Sequence, residues 1–300
     1  MTKNEPLRDQ LEEFAIELRP SGTRRVSVLG VVQQLGARVC VRFEKDCWRP
    51  TARIELAKNP VTIFLTRRAR TAGDRFLEPF EEHLLTPRER FSVAHELGHL
   101  VAFREFRVLP ALERAIYWTQ EECMHHFAAT LLTPDALVEG WLKSVPDGEP
   151  ISPFLLRRWA ASEARLSEEV IAIQLCAKRS NIGFMKVAHA ARKSDKHKVL
   201  RVLFAASGTQ LALPRTHAHL TNEELLAKLE VEASGNGTLR QCDLNKSAQN
   251  IRYAWRHAGY QQHHSGDPDQ PPGAPSSIFW ICAAAETLVP ATQLSLWNSP

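Results

Sequence analysis

The chain has 300 residues, 44% hydrophobic and 24% charged, and carries a formal net charge of +4. The longest apolar run, Ile278 to Ala285, is far too short to span a bilayer, and the polar start Met1 to Pro6 has no apolar signal core. The six cysteines form no C-x-x-C pair, which argues against a disulfide framework or a zinc finger and for reduced thiols in the cytoplasm. So mild a charge does not by itself argue for nucleic acid.

In chain order, Ala15 to Gly36 reads as two amphipathic helical stretches split by Pro20-Ser21-Gly22. Ala37 to Phe43 and Ala52 to Leu65 have strand character, with Lys58-Asn59-Pro60 as the turn between two short strands. Leu77 to Leu85 is mixed. Thr86-Pro87-Arg88-Glu89 is a capping box with proline at the first helical position. Behind it Phe91, Ala94, Leu97, Val101 and Ala102 recur at helical spacing. A second helix covers Gln120 to Leu132 and ends at Thr133-Pro134, where another starts. After a Pro- and Gly-bearing loop at Ser144 to Pro153, two more helical stretches are expected from about Leu155 to Ala191.

Composition shifts at the charged stretch Arg192 to Lys198. Beyond it come a buried strand at Val199 to Ala206, a capped helix at Leu225 to Val231, a Pro/Gly/Ser-rich loop at Ser265 to Ser277 and a strand at Ser277 to Ala284. These elements predict an α+β chain in two parts: a helix-dominated domain over residues 1–192 and a smaller α+β module over residues 195–300.

The chemistry concentrates in His95-Glu96-Leu97-Gly98-His99. Two histidines four apart project from one face of a helix and can hold one metal ion, while the glutamate between them can act as a base. H-E-x-x-H arises by chance in roughly 4% of shuffled chains of this length, so the capping box and the helical spacing matter as context. Gly98 costs about 1 kcal/mol in a helix interior relative to Ala; close approach of another backbone would explain it. A catalytic zinc needs a third protein ligand. The next carboxylates, Glu121 and Glu122, offer one, or else they complement the dipole of their own helix.

Glu89 to His99 resembles the R-F-x-x-A-H-E-x-G-H core of the ImmA/IrrE family of metallopeptidases. Glu121 to Pro134 resembles its second motif through Phe127-Ala128-Ala129, Leu131-Leu132 and Pro134. Val26 to Val41, Arg53 to Thr66 and Leu166 to Leu175 are similar to its flanking elements, and the resemblance covers about residues 8–190. It implies a zincin-like catalytic domain, with Zn²⁺ held by His95, His99 and Glu121, the last placed six residues before Phe127. It also implies a cytoplasmic endopeptidase acting on a specific protein, often a helix-turn-helix repressor, and hence transcription regulation. Glu96 would then take a proton from the attacking water and pass it to the leaving amine.

The chain departs from the family pattern at Thr133, where Met is usual, and at His125, where Asn is usual. His125 could accept a hydrogen bond from the outer N–H of His95 or His99, bind metal itself, or be a surface residue. Tyr117 and His126 are oxyanion-donor candidates by proximity to Glu121 alone. Other readings are a regulatory binding protein on the same zinc-bearing fold and a toxin–antitoxin component; an intact Glu96 favours the enzyme. The C-terminal module would recognise substrate or sense a signal. His217, His219, His263 and His264 lack the carboxylate or cysteine spacing of a second metal site. Basic clusters stand at 67–70, 178–179 and 192–201; the last has no interleaved aromatics and no recognised nucleic-acid motif around it, so direct nucleic-acid binding is not expected.

Overall fold

The computed structural model describes residues 5–20, 25–45, 51–68, 76–77, 81–109, 113–191, 198–211, 213–214, 216, 218–220, 225, 229, 234–240, 250–261 and 276–285. It is an α+β fold that divides into two compact units, Met1–Val138 with Trp159–Val170, and Glu139–Arg158 with Ile171–Pro300. No helix among the described residues is long and apolar enough to cross a membrane.

The first unit opens with α1 (Glu5–Glu17), whose buried Leu7, Leu11 and Ala15 stand four residues apart on one face. This helix starts ten residues before the expected Ala15 because that apolar stripe runs through a segment dense in charge. Helix α2 (Val28–Gln34) follows, its Ser27 hydroxyl accepting from the Gly30 N–H at 3.0 Å. Four strands form one sheet in the order β2-β3-β1-β4: β1 (Ala37–Glu44), β2 (Thr51–Glu55), β3 (Val61–Arg68) and β4 (Phe76–Leu77). Strand β3 pairs parallel to β1 and antiparallel to β2, and its first five residues are all buried. Strand β2 is an edge of this sheet.

Two helices complete the unit around the sheet. Helix α3 (Pro87–Arg104) begins with both bonds of the expected capping box: the Glu89 N–H donates to Thr86 Oγ1 at 3.2 Å and the Thr86 N–H to Glu89 Oε2 at 2.8 Å. It packs against β2 and against α4 (Arg114–Leu132), which in turn packs on α1. Gly98 sits where α3 meets α4. A Cβ there would come within 3.0 Å of Met124 Sδ and 3.2 Å of Phe127 Cδ1, so the glycine marks close helix–helix approach.

The buried Arg90 ties four segments together. Its guanidinium donates to Glu82 Oε1 (2.9 Å), to the Val26 carbonyl (2.7 Å) and to the Ala164 carbonyl (2.7 Å). Glu82 also accepts from the Leu29 N–H at 2.9 Å, so the same carboxylate caps α2 and neutralises Arg90. All donors of a buried guanidinium need acceptors, and carbonyls at chain turns supply them here.

Next in chain order come α5 (Asp135–Lys143), α6 (Pro153–Arg158), a wider π turn over Trp159–Ala164 and α7 (Glu168–Lys178). The second unit is built on an antiparallel sheet of six strands in the order β7-β6-β5-β10-β9-β8. These strands are β5 (Ile182–Ala191), β6 (Lys198–Ser207), β7 (His219–Leu220), β8 (Ser234–Arg240), β9 (Asn250–Gln261) and β10 (Ser276–Ala285). Val187, Val202, Tyr253, Trp255, Phe279 and Ile281 lie in one buried cluster with Leu225 and Leu229.

Two expectations are corrected. Ile182 to Ala191 is strand, not the end of a helical stretch; it pairs with β6 on one side and β10 on the other. The chain does not divide at 192–195. Strand β5 before that stretch and β6 after it are neighbours in one sheet, with Ala191 opposite Lys198, and Trp159–Val170 belongs to the first unit. The strands expected near 199–206 and 277–284 are β6 and β10. Of the helix expected at 225–231, Leu225 and Leu229 are helical and buried, and the rest lies outside the described residues. So do residues 192–197, the greater part of the Ser265–Ser277 loop, and His217, His263 and His264.

Candidate metal centre

Helix α3 carries His95, Glu96 and His99 past the edge strand β2, and α4 brings Glu121 against them. His95 Nε2 lies 3.1 Å from Glu121 Oε2, and His99 Nε2 lies 3.3 Å from Glu121 Oε1. One ligand atom from each of the three residues can be chosen so that all lie within 4.8 Å of one another. All three side chains are mostly buried, at 12–19% exposure. Glu122, the other carboxylate considered, is exposed, so the structure brings Glu121 rather than Glu122 to the histidines.

The donor set fits a zinc ion. Burial, aided by His125 and His99, pushes the His95 imidazole down to about 3. Burial also lowers His99, against the pull of Glu121 and with that of His125. Both rings are therefore neutral near pH 7 and offer lone pairs, and one carboxylate completes a His₂Glu set. The outer nitrogen of His95, Nδ1, is buried with no hydrogen-bond partner among the described residues, whereas a metal-binding histidine ordinarily donates its outer N–H to an acceptor.

Glu96 points into the same space. Its Oε2 accepts from the Ile54 N–H of β2 at 3.0 Å. Burial pushes its carboxyl up to about 7, against the Ile54 bond and with help from Glu121. Ala52, Arg53, Ile54, Leu109, Tyr117 and Met124 join these groups around a cleft of about 480 Å³. One wall is thus a strand edge, the other the first turns of α4.

The remaining candidates separate. Tyr117 lines the cleft, its hydroxyl beside Glu121; burial and then that carboxylate push its pKa above the ordinary tyrosine value. His126 turns away and pairs with Glu12 of α1 at 2.7 Å. His125 is exposed, its ring centroid 4.5 Å from that of His95 and 5.9 Å from that of Phe91, and it makes no hydrogen bond to the free nitrogen of His95. Ile54 and Arg90 escaped the sequence reading. Ile54 acts through its main chain, which leaves no residue-type signal. Arg90 stood in the quoted motif, but nothing in the sequence named its acceptors.

No family model and no curated protein sequence matches the chain.

Proposed function

We propose that the chain is a cytoplasmic, zinc-dependent endopeptidase of the ImmA/IrrE type whose substrate is a protein, specifically a helix-turn-helix repressor. The observation that carries the reading is the convergence of His95, His99 and Glu121 beside Glu96 in one cleft bounded by a strand edge. Three further features support it. The two motifs that resemble the family meet in space. Cys123 and Cys176 are buried free thiols, in keeping with a reducing compartment. The edge of β2 offers main-chain groups that suit an extended peptide.

His95, His99 and Glu121 would hold the ion. Zinc, when bound, supplies a Lewis acid that acidifies water and polarises a carbonyl. The chain's own groups do the rest. Glu96, fixed by the Ile54 N–H, is placed to accept the proton of the attacking water and deliver it to the leaving amine. The partly buried cleft limits solvent around that transfer. Tyr117 stands at the mouth with a hydroxyl that can donate to the developing oxyanion.

The test is incubation with a helix-turn-helix protein, with and without chelator. Glu96→Gln is expected to keep zinc and fold and to cut at least ~100-fold more slowly, since the amide is nearly isosteric but cannot serve as a base. Glu121→Ala is expected to lose zinc in metal analysis. Full zinc retention in Glu121→Ala, or a loss of only a few-fold in Glu96→Gln, would remove the assigned roles.

A further inference from the structure

Of the eight large hydrophobic residues exposed among the described residues, four fall between positions 109 and 118: Leu109 at 66% exposure, Ile116 at 44%, Tyr117 at 39% and Trp118 at 57%. Two of them, Leu109 and Tyr117, line the cleft that holds Glu96 and the ligand cluster. The group is built rather than scattered. Gln120 Nε2 donates to the Leu109 carbonyl at 3.2 Å, tying that loop to α4. The rings of Tyr117 and Trp118 meet edge-to-face with centroids 5.5 Å apart and still face solvent. Leaving Trp, Tyr, Leu and Ile in water at one place is unfavourable for an isolated chain, and such clusters mark binding surfaces. Trp and Tyr are also the residue types that dominate binding energy. The opposite wall differs: it is strand β2, with main-chain groups and the exposed Arg53. One wall can pair with a peptide backbone, and the other can take its side chains.

Resting on the peptidase reading, we propose that the cleft selects an extended segment of its protein substrate bearing large apolar side chains, which pack on an apolar rim formed by Leu109, Tyr117, Trp118 and Ile116. The rim is continuous with the cleft, so side chains near the bond to be cut would reach Leu109 and Tyr117, and those further along the segment Ile116 and Trp118. Leu, Met, Phe and Trp fit this surface; short polar or charged side chains gain nothing from it.

The experiment uses the full chain as the zinc-loaded Glu96→Gln variant and an array of unbiased synthetic peptides, read as binding. Retained peptides are expected to be enriched in Leu, Met, Phe or Trp. Adding Leu109→Ser and Trp118→Ser is expected to weaken them about 30-fold, the scale of one binding hot spot, with zinc content and thermal stability unchanged. If those substitutions unfold the chain, Trp118→Gln alone serves, with an expected loss of several-fold. Three results would overturn the proposal: selection by charge alone, no retained peptide, or equal binding by the substituted protein. A concentration-dependent dimer abolished by the same substitutions would overturn it too, by giving the surface to a second copy. Apolar selection without cleavage by the wild type would remove the peptidase reading and leave the rim. Cleavage without apolar selection would do the reverse.

Discussion

Glu89 shows how one side chain can serve a helix start and a charge pair together. It is buried, accepts the Thr86 N–H, and takes two hydrogen bonds from Arg67, at 2.6 and 2.8 Å. Burial alone would raise its pKa, but Arg67 and the Thr86 N–H outweigh burial and hold it below the usual carboxylate range. A folded value depressed in this way means stability that is present above the unfolded value of about 4.3 and lost as pH falls through the folded one. Glu89→Gln is therefore expected to cost about 1.5–3 kcal/mol at pH 7 and to flatten the decline of stability below pH 4; denaturant titrations at pH 7 and in acid would show both. The capping half of this role was legible as Thr86-Pro87-Arg88-Glu89, because capping is a matter of local spacing. The placing of His95 and His99 on one face of a helix was legible for the same reason. Arg67, 22 residues before Glu89, and Ile54, 42 residues before Glu96, were not, because spacing along the chain says nothing of such meetings.

Among the elements, α3 was the clearest in the sequence and still exceeded its reading. The expected apolar face omitted Val93 and Leu100, which are buried, because α3 meets α1, α2, α4, β2 and β3 and is covered on most of its circumference. Strand β5 was misread for a related reason. It lies between β6 and β10 with Ile182 to Met185 all buried, so no alternation marks it, and its Ala, Met and Lys residues favour helix. The α3–α4 contact makes its own prediction. Gly98→Ala gains about 1 kcal/mol in helix propensity, but Met124 and Phe127 must give by a few tenths of an ångström, and they flank the turns that carry Glu121 and His125. Global stability is expected to change by less than about 1 kcal/mol, while zinc affinity falls several-fold. Chelator competition set beside thermal melting separates the two, and unchanged affinity would show that α4 absorbs the methyl without moving its carboxylate.

At the scale of the molecule, the sequence suggested two parts but not where they divide. Residues 192–198 look like a linker by composition, yet strands on either side of them are sheet partners. A chain ending at residue 192 would keep β5 and lose both its neighbours, β6 and β10, uncovering Phe184, Met185 and Val187. It is expected to aggregate or to bind zinc poorly, whereas the full chain stays dispersed; size-exclusion chromatography with metal analysis decides it. A soluble, zinc-loaded truncation would show that the first unit folds without the second sheet.

The carbonyls that satisfy Arg90 carry this further. The guanidinium sits on α3, but one of its acceptors, Ala164, comes 74 residues later, after the chain has contributed Glu139–Arg158 to the other unit. As the ribosome releases the chain, all three proposed metal ligands, His95, His99 and Glu121, emerge well before that acceptor. The nascent first unit would thus hold these side chains ready while the buried Arg90 has Glu82 and Val26 but still lacks its third acceptor. Each unit is made of two separate stretches of chain, so neither could be gained or lost by a single splice of the gene.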